Sequence, residues 1–303
     1  VFGPVLHVIR FNKSTVEELI DEINSTGFGL TLGVHSRIEN FADLVIKRTR
    51  VGNNYINRNI VGAVVGIQPF GGQGLSGTGP KAGGPHYLTR FAKEQIALVE
   101  APLEDTPAKC RAVNETGSVT HLISLAQNSQ AGWDMIGGDA RAAVLEKTAT
   151  VLAECQPGLR AAIASIRYYA AQASEKCQRP TSLPGPTGEV NELSLHGRGV
   201  ILCCPAPGST VAEIVSQISA ALAGGNSVIA NPSREESALV LELVRVLRDA
   251  GVSPTVLGFA AGETAREQAI ADQRISAIAW NGNVQQALRL QSMLIERGGA
   301  IAP

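Results

Sequence analysis

"GVILCCPAPGSTVAEIVSQISAALAGGNSVIANP", residues 199–232, reads as a strand, a helix and a second strand. "GVILCC" is a continuous apolar run of the length expected for a strand buried on both faces. Val211, Ile214, Val215, Ile218 and Leu222 then recur at helical spacing, and Gly224 and Gly225 close that helix. "SVIA" is the next strand. Downstream, Ser233 with Glu236 has the form of a capping box for a helix ending at Gly251. "TVLGFA", "TAREQAIADQ", "ISAIAW" and "VQQALRLQSMLIERGG" repeat strand then helix. Such alternation predicts an α/β fold with a parallel sheet covered by helices, a Rossmann-like domain. Cys203 and Cys204 fall at the end of a sheet strand and read as buried packing rather than a vicinal redox pair.

Upstream of this region the chain reads as helical from Asp139, a candidate N-cap. Val144, Leu145, Thr148, Val151 and Leu152 form one stripe, and Leu159, Ile163 and Ile166 continue it past Pro157. "LPGPTG" breaks the pattern, and "TGEVNELSLHGRG" alternates like a hairpin. Pro102, Pro107 and the polar stretch after them mark residues 101–138 as a linker. In the first hundred residues "VLHVIRF" reads as a strand. A helix starts near Ser14 with Glu17 completing a capping box, and Gly27 and Gly29 stop it. "FADLVIKRTRVG" is a second helix, "GNNYINR" a return strand, and "FAKEQIALVEA" an exposed or subunit-joining strand.

With 303 residues, the chain has room for two compact domains. A formal net charge of −1 gives no general electrostatic drive towards nucleic acid or an anionic membrane, so neither is expected as a partner. No apolar stretch approaches a membrane span. The five cysteines lack C-x-x-C spacing and the five histidines stand apart, which fits reduced thiols in a cytoplasmic protein and gives a metal site little support. The chain opens on Val1 in mid-pattern and reads as an excised piece of something longer.

"PFGGQGLSGTGPKAGGP", residues 69–85, contains the string G-x-G-x-x-G at Gly72, Gly74 and Gly77. A dinucleotide fingerprint needs a helix to open directly behind it, and Pro80, Gly83, Gly84 and Pro85 prevent one. A structural turn is the plain alternative. Flanking Phe70, Tyr87 and Phe91, with backbone N–H groups near the Ser76 hydroxyl, instead suit a loop that grips a carboxylate while aromatic rings wall the apolar part of a ligand.

"FGPV" at the start, then "GLTLGVHS", "VGNNYINR" and "GAVVGIQPFGGQGLSGTGPKAGGPHYLTRF", resembles the C-terminal part of an aldehyde dehydrogenase. More narrowly, residues 1 to about 100 are similar to the 1-pyrroline-5-carboxylate (glutamate semialdehyde) dehydrogenases of the bifunctional proline utilization A family. The resemblance implies that the glycine loop is an aldehyde anchor. Gly83 and Gly84 would hold the α-carboxylate of glutamate semialdehyde, Phe91 would belong to the aromatic box, and Phe2 would touch the nicotinamide end of NAD. It implies a cysteine thiolate that attacks the aldehyde, hydride transfer to NAD, and hydrolysis of the resulting thioester. The family's nucleophile and the glutamate of its E-x-F-G-P motif would precede Val1, so no residue here is assigned a catalytic role.

"RYYAAQA…LPGPTGEVNELSLHGRGVILCCP…AALAGGNSVIANP" resembles the other, cofactor-binding end of the same family. The implied order is the tail of one such unit (1–100), a linker (101–138), and the head of a second, degenerate unit (139–303). The family's oxyanion-hole asparagine falls on Gly208, its ribose-binding lysine on Asn231, and the glutamate partner of that ribose on Arg234. Its F-T-G-S turn falls on Trp280, Asn281, Gly282 and Asn283. Those replacements imply that nucleotide chemistry was lost while the fold remained. The resemblance further implies a homo-oligomer joined through the Ala92–Glu100 strand and a flap at 186–198, with FAD only in an upstream proline dehydrogenase module. The competing reading is a non-catalytic scaffold or oligomerisation module.

Overall fold

The computed structural model describes residues 3–93 and 118–303. The chain divides into two compact units after Ala92. Among the described residues no helix is long and apolar enough to cross a membrane.

The first unit holds α1 (Val16–Ser25), β1 (Phe28–Gly29), β2 (Thr31–Val34), α2 (Glu39–Arg48), β3 (Asn53–Ile56) and β4 (Gln73–Gly74). β2 and β3 pair in parallel, and β1 pairs with β4 in antiparallel fashion. Val16, Ile20, Val34, Ala42 and Val45 make a small core against which Leu32, Phe41 and Leu44 pack. The turn ending α1 runs through Gly27 at φ +74°. The expected capping box at Ser14 and Glu17 is not formed. A short 3-10 turn, Lys13–Thr15, comes first, and the Thr15 hydroxyl donates back to the Asn12 carbonyl at 3.0 Å, so the helix starts later. Nor is "VLHVIRF" a strand. Leu6, Val8 and Ile9 are exposed, with no described strand alongside to take their backbone hydrogen bonds.

The second unit begins with three helices, α3 (Val119–Met135), α4 (Gly138–Cys155) and α5 (Arg160–Cys177). The hairpin β5 (Thr181–Leu183) and β6 (Asn191–Leu193) follows; its arms thus start earlier than the expected flap. Then come β7 (Val200–Cys204), α6 (Val211–Ala223), β8 (Ser227–Ala230), α7 (Ser237–Ala250), β9 (Leu257–Phe259), α8 (Glu263–Ala271), β10 (Ile275–Trp280) and α9 (Val284–Glu296). The sheet is parallel throughout, in the order β10-β7-β8-β9. The chain builds outward from β7 to β9 and then returns to the opposite side of β7, which makes the β7/β10 boundary a topological switch point.

Both faces of the sheet are covered, so its strands are apolar runs rather than alternating ones. Ile201, Cys203, Val228, Leu257 and Phe259 belong to the core shared with α4–α7. Val200, Leu202, Cys204 and Ile229 belong to the core shared with α3 and α8. Consecutive strand residues point to opposite faces, which separates the two thiols. Burial pushes the Cys204 thiol up to about 12 and the Cys203 thiol higher still, so both stay protonated and inert near neutrality. In α6, Ile214, Val215, Ile218 and Leu222 are fully buried, each contributing about 1.5–3 kcal/mol.

Residues 119–135, expected as linker, are a helix whose Val119, Ile123, Ala126, Gln130 and Trp133 are buried. Three donors near its C-terminal end fasten α6. Trp133 Nε1 donates to the Leu222 carbonyl (3.0 Å), Gln130 Nε2 to Gly225 (2.9 Å), and Arg141 Nε to Ala223 (3.0 Å). They add side-chain donors to the carbonyls of the last turn of α6 and of Gly225 just beyond it. Asp139 is not the N-cap of α4. Gly137 caps it, and Gly138 packs so closely that a Cβ there would lie 2.1 Å from the Ala173 carbonyl oxygen. The Asp139 N–H is instead taken by the side chain of Gln178 at 2.9 Å.

Candidate functional site

The glycine loop folds as a braced turn. Its mouth is closed by a two-way bridge, Phe70 N–H to the Ala82 carbonyl (3.0 Å) and Ala82 N–H to the Phe70 carbonyl (2.9 Å). Asn53 on β3 holds the entry, donating to the Pro69 carbonyl (2.8 Å) and accepting from Gly71 N–H (3.2 Å). The contact there demands glycine: a Cβ on Gly52 would lie 2.0 Å from the Gly71 carbonyl oxygen. Ser76, expected near the ligand, instead accepts the Gly29 N–H at 3.1 Å and fixes the loop to β1.

Several loop amides are committed within the unit. Leu75 N–H goes to Gly27, Ser76 N–H to Gln73, and Gly84 N–H to the Lys81 carbonyl at 3.1 Å. Among the described residues the Gly83 N–H has no acceptor, while its carbonyl accepts from Gly66 (2.8 Å). Gly83 sits at φ +72°, where a Cβ would meet Val65 Cα at 3.1 Å, so glycine is required by both conformation and space. Gly84 is equally confined, 3.1 Å from Pro69 by the same measure, and its carbonyl accepts from Tyr87 N–H (3.0 Å). A 3-10 turn, Leu88–Phe91, follows. It sets the Phe91 ring edge-on to Tyr87 at 5.3 Å, with Phe91 still 74% exposed. Gly83, Gly84 and Phe91 are thus linked through Tyr87. Phe2 and most of the expected Ala92–Glu100 strand lie outside the described residues. Directly behind the loop, among the described residues, the chain runs into the Leu88–Phe91 3-10 turn rather than an α-helix.

The second place to look is the crevice at the carboxyl ends of β7 and β10, where a parallel sheet of this winding binds nucleotides. Here the chain has used its own groups. Asn281 accepts the Ala206 N–H (2.8 Å) and donates to the Ser209 hydroxyl (3.0 Å), tying the two loops together. Glu236, 1% exposed, accepts the Gly208 N–H at 2.9 Å and contacts the Ser233 hydroxyl. The N-terminus of α6 is closed by a capping box between Thr210 and Glu213, and that of α9 by Asn283. Asn231 is buried, accepting from Arg266 Nε (2.9 Å) and donating to the Ala260 and Gly262 carbonyls. Arg266 also lies 5.7 Å over the Trp280 ring. A groove of about 700 Å³ beside β10 is lined mainly by residues of α6 and β10, five of them alanines, and presents no cation to a phosphate. These residues do not fit a dinucleotide.

The aldehyde dehydrogenase family model matches residues 1–97 and 154–297, one stretch in each unit. The chain belongs to the aldehyde dehydrogenase family. It is 37% identical to the bifunctional protein PutA of Klebsiella aerogenes over 99% of this chain and 20% of that protein. It is 40% identical to the human mitochondrial delta-1-pyrroline-5-carboxylate dehydrogenase over 32% of this chain and 18% of that one. A solved structure of a Bradyrhizobium japonicum proline utilization A mutant superposes with a TM-score of 0.59 at 28% identity, over 63% of this chain and 22% of that one. The chain therefore spans about a fifth of the length of such relatives. The aldehyde dehydrogenase-like α/β fold agrees with the sequence reading. Family membership brings a nicotinamide cofactor in general terms.

Sequence reasoning missed the residues that organise these places. Lys81 and Asn53 have no role in the sequence reading, although Lys81 is the sole cation in residues 69–85, and Glu236 and Asn281 figure there only as a helix cap and as part of a turn.

Proposed function

We propose that this chain carries the carboxylate anchor of an NAD-dependent L-glutamate γ-semialdehyde (1-pyrroline-5-carboxylate) dehydrogenase acting in proline breakdown to glutamate, within a longer bifunctional protein. The carrying observation is the Gly83 N–H, without an acceptor among the described residues, on a loop whose mouth is braced, with the Tyr87–Phe91 edge pair beside it in sequence. A carboxylate accepts such a donor strongly, and exposed rings supply an apolar wall for the carbon chain. The nucleophile and the hydride acceptor NAD belong to the rest of the polypeptide. Phe2 remains the proposed contact to the nicotinamide, and FAD is assigned only to an upstream proline dehydrogenase module. Residues 139–303 form a non-catalytic lid or interface domain of the longer protein, and the Ala92–Glu100 strand and the 186–198 flap are proposed as homo-oligomer contacts.

The test is Gly83→Ala in the full-length protein. Alanine keeps the N–H but is strained at φ +72° against Val65, so the donor shifts out of place. The charge-assisted hydrogen bond lost with it, about 1.5–3 kcal/mol, raises KM for the semialdehyde by about 10- to 100-fold with kcat little changed. An unchanged KM contradicts the anchor.

A further inference from the structure

The Lys81 ammonium is partly buried under the glycine loop. It donates to the Gly71 carbonyl (2.7 Å), the Asn53 Oδ1 (3.2 Å) and the Gly52 carbonyl. An ammonium has three protons, so these three acceptors leave none for a ligand. Two of the acceptors lie on the β3 side and one on the loop entry, while Lys81 itself lies near the loop exit. The side chain therefore ties exit to entry, in parallel with the Asn53 bonds to Pro69 and Gly71. Its own carbonyl accepts the Gly84 N–H, forming the turn that holds Gly83 at φ +72° with its N–H unpartnered.

The electrostatics point the same way. Among the described residues no carboxylate pairs with Lys81. Burial alone acts on the group, pushing its pKa down, and carbonyl dipoles rather than a counter-ion hold it charged. A positive charge paired with no carboxylate among the described residues favours an anion on the open side of the loop, and partial burial protects that field from screening.

We propose that Lys81 is a positioning residue of the anchor: it locks the loop so that the Gly83 N–H faces outward, and its positive charge draws a carboxylate there. The ligand class is an aldehyde bearing a carboxylate at its far end. This rests on the anchor-loop reading above.

The experiment compares two substrates in the full-length protein, L-glutamate γ-semialdehyde and pentanal, which has the carbon chain without the carboxylate. Lys81→Met is expected to raise KM for the semialdehyde by about 10-fold or more at nearly constant kcat, and to leave pentanal kinetics within about twofold. L-glutamate, the carboxylate-bearing product, loses affinity by a similar factor in calorimetry. Lys81→Arg, which keeps the charge, recovers part of the loss. If both substrates lose equally, or the semialdehyde KM does not move, the assignment is overturned. A wild-type protein that does not favour the semialdehyde over pentanal overturns the anchor reading itself. Should Lys81→Met fail to fold, Asn53→Ala removes one of the three acceptors and must raise the same KM selectively; an unchanged KM overturns the proposal.

Discussion

The glycine loop and the switch-point crevice are both places where this fold offers backbone donors to an anion, and they have been treated in opposite ways. In the loop, Lys81 and Asn53 take the carbonyl and N–H of Gly71, Ser76 ties the loop to β1 through the Gly29 N–H, and the Gly83 N–H has no acceptor among the described residues. In the crevice, Glu236 and Asn281 consume Gly208 and Ala206 N–H, and Glu213 closes the neighbouring helix. Binding capacity is what remains after a structure has satisfied itself. A fold can therefore keep its sheet order and lose its ligand through a few side chains of its own.

Restoring the family's lysine is the strongest attack on that contrast. Asn231 is 1% exposed and accepts from Arg266, so Asn231→Lys buries a second cation against the first. It should destabilise the second unit by about 3 kcal/mol or more without creating nucleotide affinity, as read by thermal unfolding and by NAD titration. A stable variant that binds a second NAD would break the comparison.

Glu236→Ala sharpens it. This change strips the partner from Gly208 N–H and from Ser233, at a cost of about 1–3 kcal/mol in denaturant unfolding. Gly83→Ala, apart from its kinetic effect, adds backbone strain of about 1–3 kcal/mol in the first unit. If it is fully neutral, glycine is not required there.

The smallest effect is pH-dependent. His196 Nδ1 sits 2.8 Å from Asp134 Oδ2 just after the β5–β6 hairpin, and that hydrogen bond raises the histidine pKa against the opposing effects of burial and Arg141. The folded state therefore binds its proton more tightly than the unfolded chain does. The stabilisation is full below the ordinary histidine value and fades as pH rises through the folded value. With the ring more than half exposed, it amounts to under about 1 kcal/mol. The melting-temperature difference between wild type and His196→Gln should shrink from pH 5.5 to pH 8; a constant difference rejects the pair as a pH-dependent contact.

The strand-helix alternation from Val200 to Glu296 was legible because short continuous apolar runs and period-3.6 stripes follow one another, separated by glycine and polar turns. Caps were less so. Ser233/Glu236 and Thr210/Glu213 have the same spacing, yet only the second closes on a helix N-terminus; the turn after Ser233 delays α7 to Ser237. The helix α3 was hidden because its buried row includes Gln130, a polar residue that fastens α6. "VLHVIRF" has the pattern of a strand, and pattern cannot say whether a neighbour is present. For the candidate site, the glycines were legible as a loop. Which amide stays open was not, because that depends on bonds from Asn53 and Lys81 that no local pattern records.

The most direct measurement is the number of NAD molecules bound per chain of the full-length protein, by calorimetry. The account predicts one, held outside the second unit and unaffected by Asn281→Ala. Two per chain, with the second lost on Asn281→Ala, would contradict it.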